Sequence, residues 1–280
     1  MSLEKFLCAK IVKEADYVSY LCALLAGEKY CDRLFSLYAF NYEISKIKYL
    51  VSEPMSGYVR IQWWRDAIGD IYNDNINKHN NDIINALYLV VKQTSIEQIL
   101  FENLLDAKDS EMDSKAYESI DQLKQSILDN YFNLYKLLLA SVGINDKESL
   151  DIICYGVTAC ELTNILRFAK YNAFHNKIIF PQDLMEQYNI TENQIYNGSN
   201  IDATKKITKI LCDEADGYLI KYNKYYEQLS DLSLDIMLPI ALSSKYLRVI
   251  KKYDYDIFNY DLNINRFFIQ LSLYKNKFLR

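Results

Sequence analysis

The sequence predicts an all-α protein, with residues 1–280 in a single helical-bundle domain. Three observations carry that expectation. Glycine and proline, the residues that turn a chain, number only 7 and 3, too few for the many turns of a β-rich fold. Apolar residues recur at three- and four-residue spacing through most of the chain, the period of helices with one buried face. No internal repeat, linker or low-complexity segment interrupts the pattern. Half the residues are hydrophobic and a quarter charged, a globular composition. The length is enough to bury a large core without disulfide or metal staples.

The elements follow in order. Residues 16–26, DYVSYLCALLA, carry the helical period. After a break near Gly27 it resumes through Phe35, Leu37, Tyr38, Phe40 and Ile44. The stretch VSEPMSG breaks the chain again, with Ser52 read as a cap and Pro54 as an early helical residue. A strongly apolar-faced helix then runs over 58–75 and ends in an Asn/Asp cluster. Residues 80–93 and 95–112 read as two helices with polar starts, and 117–143 as a longer one stopped by Gly143. Residues 146–174 form the next helix. NKIIFP reads as a short extended piece, with a helix beginning beyond Pro181. TENQIYNGSN, 191–200, is the most loop-like stretch. Helices near 202–229, 231–252 and 261–279 complete the chain.

Bulk properties exclude several functions. The net charge of −5 and a pI of about 5.3 give no support for a basic nucleic-acid-binding face. With only His79 and His175 in the chain, and no CxxC pair among Cys8, Cys22, Cys31, Cys154, Cys160 and Cys212, no histidine-rich or zinc-type metal site is expected. The thiols read as small core residues in a reducing compartment. The first seventeen residues mix Glu, Lys and Asp, unlike a signal or transit peptide. No run of about 18 apolar residues marks a membrane span. The expected location is the cytoplasm, extending to the inner face of the membrane. The heavy use of Asn, Ile, Lys and Tyr looks like an A+T-rich, bacterial genome and says nothing of function.

Two helical segments carry polar clusters. One is LYAFNYEISKIKYL, 37–50; the other is ACELTNILRFAKYNAF, 159–174. In the second, Glu161, Asn164, Phe168 and Asn172 are spaced three, four and four apart, so a continuous helix places them on one face. A solvated face, or one bonded to a neighbouring helix, would look the same.

At this point the sequence resembles the squalene/phytoene synthases, head-to-head prenyl transferases with a helical bundle of the isoprenoid (terpenoid) synthase type. Glu161-Leu162-Thr163-Asn164-Ile165-Leu166-Arg167 is similar to their second signature, with Phe180-Pro181 at the matching distance, and Tyr38-Ala39-Phe40 opens the first. Residues 57–68 resemble the helix that follows it. In the family two Asp-rich clusters hold Mg²⁺ ions that grip the substrate diphosphates, since Mg²⁺ seeks carboxylate oxygens and offsets charge on the leaving group. Here the first cluster aligns with Ser45, Lys46 and Tyr49, and the family's phosphate-contacting arginine with Tyr42. The second aligns with Phe168 and Tyr171-Asn172, and a Gly-Arg pair with Asn176-Lys177. A lysine in place of a metal-binding aspartate inverts the local charge; at ~4 Å, two like charges repel by about 4 kcal/mol at an effective dielectric of roughly 20. Glu43 and Glu161 are the only carboxylates left within the aligned blocks.

The resemblance is closest to the NADH dehydrogenase (complex I) assembly factor branch, which keeps the fold without the aspartates. Ala39–Trp64 and KKYDYDIF, 251–258, carry it. It implies no catalytic residues, no metal and no cofactor. It also implies a role in assembling respiratory complex I, with its subunits or assembly intermediates as partners. Two alternatives stand beside it. One is a working farnesyl or geranylgeranyl diphosphate transferase, which would need Mg²⁺. The other is an isoprenoid or lipid carrier. The candidate pocket residues are Tyr38, Tyr42, Lys46, Arg60, Glu161, Asn164 and Arg167. Lys46, Arg60 and Arg167 would either receive an anionic head group or pair with Glu43 and Glu161. Trp63, Trp64 and Tyr72 read as core rather than as a tunnel lining. The last helix, 262–280, carries Arg266, Lys275, Lys277 and Arg280 among bulky apolar residues. It is a candidate for peripheral contact with an anionic membrane.

Overall fold

The computed structural model describes residues 3–112, 116–175, 177 and 180–279, with side chains from Phe6 onward. Arg280 and half of the expected extended piece, Asn176, Ile178 and Ile179, lie outside them. Every regular element among the described residues is helical, as the scarcity of turn residues predicts. Contacts divide the chain into two compact units. One holds residues 1–114, 129–150 and 230–236; the other holds 115–128, 151–229 and 237–280.

The first unit is built round α3 (Glu28–Leu50), against which α1 (Leu3–Ala15), α2 (Tyr17–Leu25), α4 (Pro54–Tyr72), α5 (Asp82–Gln93), α6 (Gln98–Met112) and α8 (Asn133–Ser141) pack. Leu34, Leu37, Ala39, Phe40, Ile44 and Ile47 of α3 are buried, and Phe40 meets Trp64 and Phe101 edge-on at 5.3 and 5.6 Å. Such edge contacts add to the burial of apolar area. Asp16 starts α2 by accepting from the Val18 and Ser19 amides. Asn81 does the same for α5, so each cap satisfies orphan donors of its first turn. Pro54 opens α4, but Glu53, not Ser52, holds the cap position.

In the second unit α7 (Ile120–Ile127), α9 from residue 151 (Lys147–Arg167 in full), α10 (Ala169–Phe174), α11 (Gln182–Gln187), α12 (Glu192–Tyr196), α13 (Ile201–Tyr225), α15 (Ile240–Lys252) and α16 (Arg266–Phe278) gather. α13 packs on α15, and α15 on α16. Lys124 of α7 reaches Asp121 and, at 3.4 Å, Glu214 of α13.

Five expectations need correction. Residues 3–15, weighed only as a targeting segment, form α1, with Cys8 and Val12 buried. The expected helix over 117–143 is α7, a π-helical turn at 128–132 and α8. The expected helix over 146–174 breaks at Phe168, whose ψ of 9° leaves the helical range. The loop-like 191–200 contains α12, started by a capping box between Thr191 and Gln194. The expected helix over 231–252 is α14 (Asp231–Ile236) and α15, parted at Pro239, which has no amide to donate.

Candidate functional site

The first polar cluster lies on α3. Tyr38, Tyr42, Ser45, Lys46 and Tyr49 follow one another at helical spacing. Tyr38 is buried, Ser45 and Lys46 half-buried, Tyr42 and Tyr49 exposed. Three residues meet: Lys46 donates to Glu43 Oε1 at 2.5 Å, and its ammonium stands 5.3 Å from the Tyr42 ring centre. The i,i+3 pairing follows from helix geometry. It engages the one carboxylate that the aligned block retains there. Arg60, on α4, is exposed and does not join this group.

The second cluster lies at the end of α9. Glu161 is only 8% exposed and accepts from Asn164 Nδ2 at 3.3 Å. Among the described residues Arg167 has no carboxylate within ion-pair distance. Its guanidinium carbon lies 4.4 Å from the ring centres of both Phe168 and Tyr246, a stacking arrangement that suits a planar, weakly hydrated cation. Arg167 Nε and Tyr246 Oη are both buried without a hydrogen-bond partner among the described residues. Burial pushes the Tyr246 hydroxyl up, Arg167 pulls it down, and the net direction is upward. The break at Phe168 removes the single face that sequence spacing suggested. Glu161 is buried, Asn172 half-buried and Phe168 exposed.

The donors at the aligned positions do not fit a Mg²⁺ site. They carry hydroxyl, ammonium, phenol, phenyl and amide side chains, and a hard dication needs a hard, mostly anionic donor set. Among the described residues no group of three or more His, Cys, Asp or Glu is placed to hold a metal. Trp64 is buried against Phe40 and Tyr72 donates to the Ile96 carbonyl at 2.8 Å. Trp63, expected in the core, is 42% exposed.

Three features escaped sequence reading. Tyr246 joins Arg167 across 79 positions, a contact with no local signal. Arg65 binds Glu102, Asp106 and Asp109 of α6 at 2.5, 2.9 and 2.7 Å; the three- and four-residue spacing of those acids was its visible sign. Lys108, 6% exposed, donates to Asn130 in the π-helical turn at 2.8 Å and lies 3.4 Å from Glu111. Its place on the apolar face of α6, three and four residues from Leu105, Leu104 and Met112, was the visible sign. Nearby Lys48 is pulled below the usual lysine range by burial, with Glu111 opposing and Lys108 adding to the shift.

Known proteins are similar to this chain along much of its length. A protein of Bos taurus named "NADH dehydrogenase (ubiquinone) complex I, assembly factor 6" is 24% identical over 95% of this chain and 80% of its own length. A "15-cis-phytoene synthase" of Synechococcus elongatus is 31% identical over 36% of this chain and 33% of its own. Among solved structures, a dehydrosqualene synthase superimposes with a TM-score of 0.83 at 14% identity, covering 98% of this chain and 95% of the other, so the fold is of that type. Residues 12–269 match the family described as Squalene/phytoene synthase, and the chain belongs to that family.

Proposed function

We propose that this chain assists the assembly of respiratory NADH dehydrogenase, complex I, through protein contact and without prenyl transfer. The observation that carries the reading is the chemistry of the two aligned clusters. Ser45, Lys46 and Tyr49 in one, and Phe168, Tyr171 and Asn172 in the other, are the residues that the family resemblance aligns with its metal-binding acids. Lys46 is already neutralised by Glu43. Such a donor set does not suit Mg²⁺ and leaves a departing diphosphate without a counter-charge. Similarity along 95% of the chain to an assembly factor supports the reading; fold alone would not, since one fold hosts many functions. The partners are complex I subunits or assembly intermediates, met at the cytosolic, matrix-equivalent face.

Gene deletion tests the role. Assembled NADH dehydrogenase, read by in-gel activity after native electrophoresis, is expected to fall while subassemblies accumulate. An unchanged complex overturns the proposal. Radiolabelled farnesyl and geranylgeranyl diphosphate with excess Mg²⁺ test the absence of chemistry: a folded protein that yields product refutes it.

One observation favours a second, compatible reading as an isoprenoid or lipid carrier. Among the described residues Arg167 has no carboxylate partner, and its Nε and the Tyr246 hydroxyl both lack hydrogen-bond partners. Buried polar groups are normally satisfied, and an anionic head group would satisfy both. Calorimetry with farnesyl diphosphate in EDTA tests it; no heat of binding removes this reading and leaves the assembly role untouched.

A further inference from the structure

α16 shows two opposite faces. Ile269, Ser272 and Leu273 are buried, and the helix packs on α15. The other side carries Phe267, Leu271, Tyr274 and Phe278, spaced four, three and four apart, which aligns them in one stripe on a 3.6-residue helix. They are 64%, 54%, 51% and 64% exposed. Single exposed apolar residues are ordinary; a continuous ridge of bulky ones marks an interaction surface. The ridge is organised: Tyr274 and Phe278 stack at 6.0 Å, and Phe267 meets Phe268 edge-on at 5.7 Å.

Charge decides what covers it. The whole chain is net negative, at −5. Residues 262–279 carry three cations, Arg266, Lys275 and Lys277, and no acid. Turned about the helix axis, Lys275 lies on one flank of the ridge, and Arg266 and Lys277 lie on the other. Apolar residues with an aromatic share, bordered by cations on both sides, suit the boundary between acyl chains and anionic head groups. No helix among the described residues is long and apolar enough to cross a membrane, so contact of this kind is superficial.

We infer that α16 docks the protein on an anionic lipid surface, with Phe267, Leu271, Tyr274 and Phe278 entering the interface and the flanking cations meeting lipid phosphates. The attraction is electrostatic at the rim and therefore weakens with salt.

Flotation of the full chain tests this, using vesicles of phosphatidylcholine with about 30% phosphatidylglycerol beside vesicles of phosphatidylcholine alone. The protein is expected to float with the anionic vesicles and to stay behind with the neutral ones. Lys275→Glu with Lys277→Glu is expected to weaken binding by on the order of tenfold or more. Leu271→Ser with Phe278→Ser is expected to abolish it. Leu271, Tyr274, Lys275 and Phe278 are exposed and Lys277 is half-buried, so circular dichroism and melting temperature are read for each variant, and Lys275→Glu alone serves as the charge reversal if the pair melts lower. Phe267→Trp supplies a reading that disturbs nothing: its added fluorescence is expected to be quenched by brominated anionic lipid, beyond the quenching seen in the parent with Trp63 and Trp64. Absence of flotation with anionic vesicles overturns the inference. So does equal binding by the charge-reversed pair, or a concentration-dependent dimer that Leu271→Ser with Phe278→Ser dissolves while vesicles go unbound.

Discussion

The two polar clusters solve the same problem in opposite ways. On α3 the cation that stands among the aligned acid positions is neutralised within its own helix, Lys46 by Glu43 at 2.5 Å. At the end of α9 the cation has no carboxylate partner among the described residues: Arg167 stands over two aromatic rings, and Glu161 accepts from Asn164. A charge pair closes a site to further ions, while a stacked arginine keeps its donors for something else. The carrier reading proposed above therefore places its anion at the second cluster and not at the first.

The support beneath the second cluster gives the largest expected effect. On α9, a methyl placed at Gly156 would lie 2.2 Å from Ile240 Cδ1 and 2.8 Å from the Tyr222 ring. Gly156→Ala is expected to destabilise by about 1–3 kcal/mol, the cost of overpacking, measured by urea unfolding. At Gly57 on α4 the methyl would meet the Met112 sulfur at 2.4 Å, in a side chain that adapts readily. Gly57→Ala is expected to cost less than about 1 kcal/mol. Equal losses would erase that contrast.

Next comes Arg167→Met. If the stacked guanidinium is the anion receptor, farnesyl diphosphate affinity in EDTA falls by about tenfold or more, equivalent to roughly 1.4 kcal/mol, while Lys46→Met leaves it nearly unchanged. Equal effects in the titration would break the comparison at its centre.

Tyr246→Phe is expected to stabilise the ligand-free protein by up to about 1 kcal/mol, because it removes a buried hydroxyl that has no hydrogen-bond partner among the described residues. The pH dependence has a definite sign. Burial holds the Tyr246 phenol above its ordinary range against the pull of Arg167, so folding favours the protonated form. That contribution is complete below about pH 10, the ordinary tyrosine value. It is lost as pH rises past that value toward the higher folded-state one. The variant lacks this loss, so its alkaline unfolding is expected to begin at higher pH. Smallest is Glu43→Gln, which breaks a half-buried i,i+3 pair and costs about 0.5 kcal/mol, less at high salt. A loss of several kcal/mol in thermal unfolding would mean that α3 depends on this pair for more than local charge balance.

Much of the fold was legible because α2, α3, α5 and α13 combine a helical apolar period with recognisable starts at Asp16, Gly27, Asn81 and Asn200. The breaks were harder to read. Phe168 continues the apolar spacing of α9, so nothing in the local pattern shows that the backbone leaves the helix there. Pro239 did mark the division of 231–252, but the apolar period on either side masked it. The capping box at Thr191 was readable, yet the helix it starts has only five residues, too short to show a period. In the candidate site, the pairing of Lys46 with Glu43 is written in their spacing. The position of Arg167 depends on Tyr246, brought in from α15 by tertiary packing alone.

Lys108 is a natural clock for the first unit. Its amine, almost fully covered and held by Asn130, cannot be acylated while that unit stays closed. The other lysines of α3 and α5, Lys29, Lys46, Lys48 and Lys92, are half-buried or exposed and label sooner. The rate at which mass spectrometry finds Lys108 modified, set against those faster sites, would report how often the helices around it part. Protein caught on an assembly intermediate could be timed in the same way, without introducing any probe.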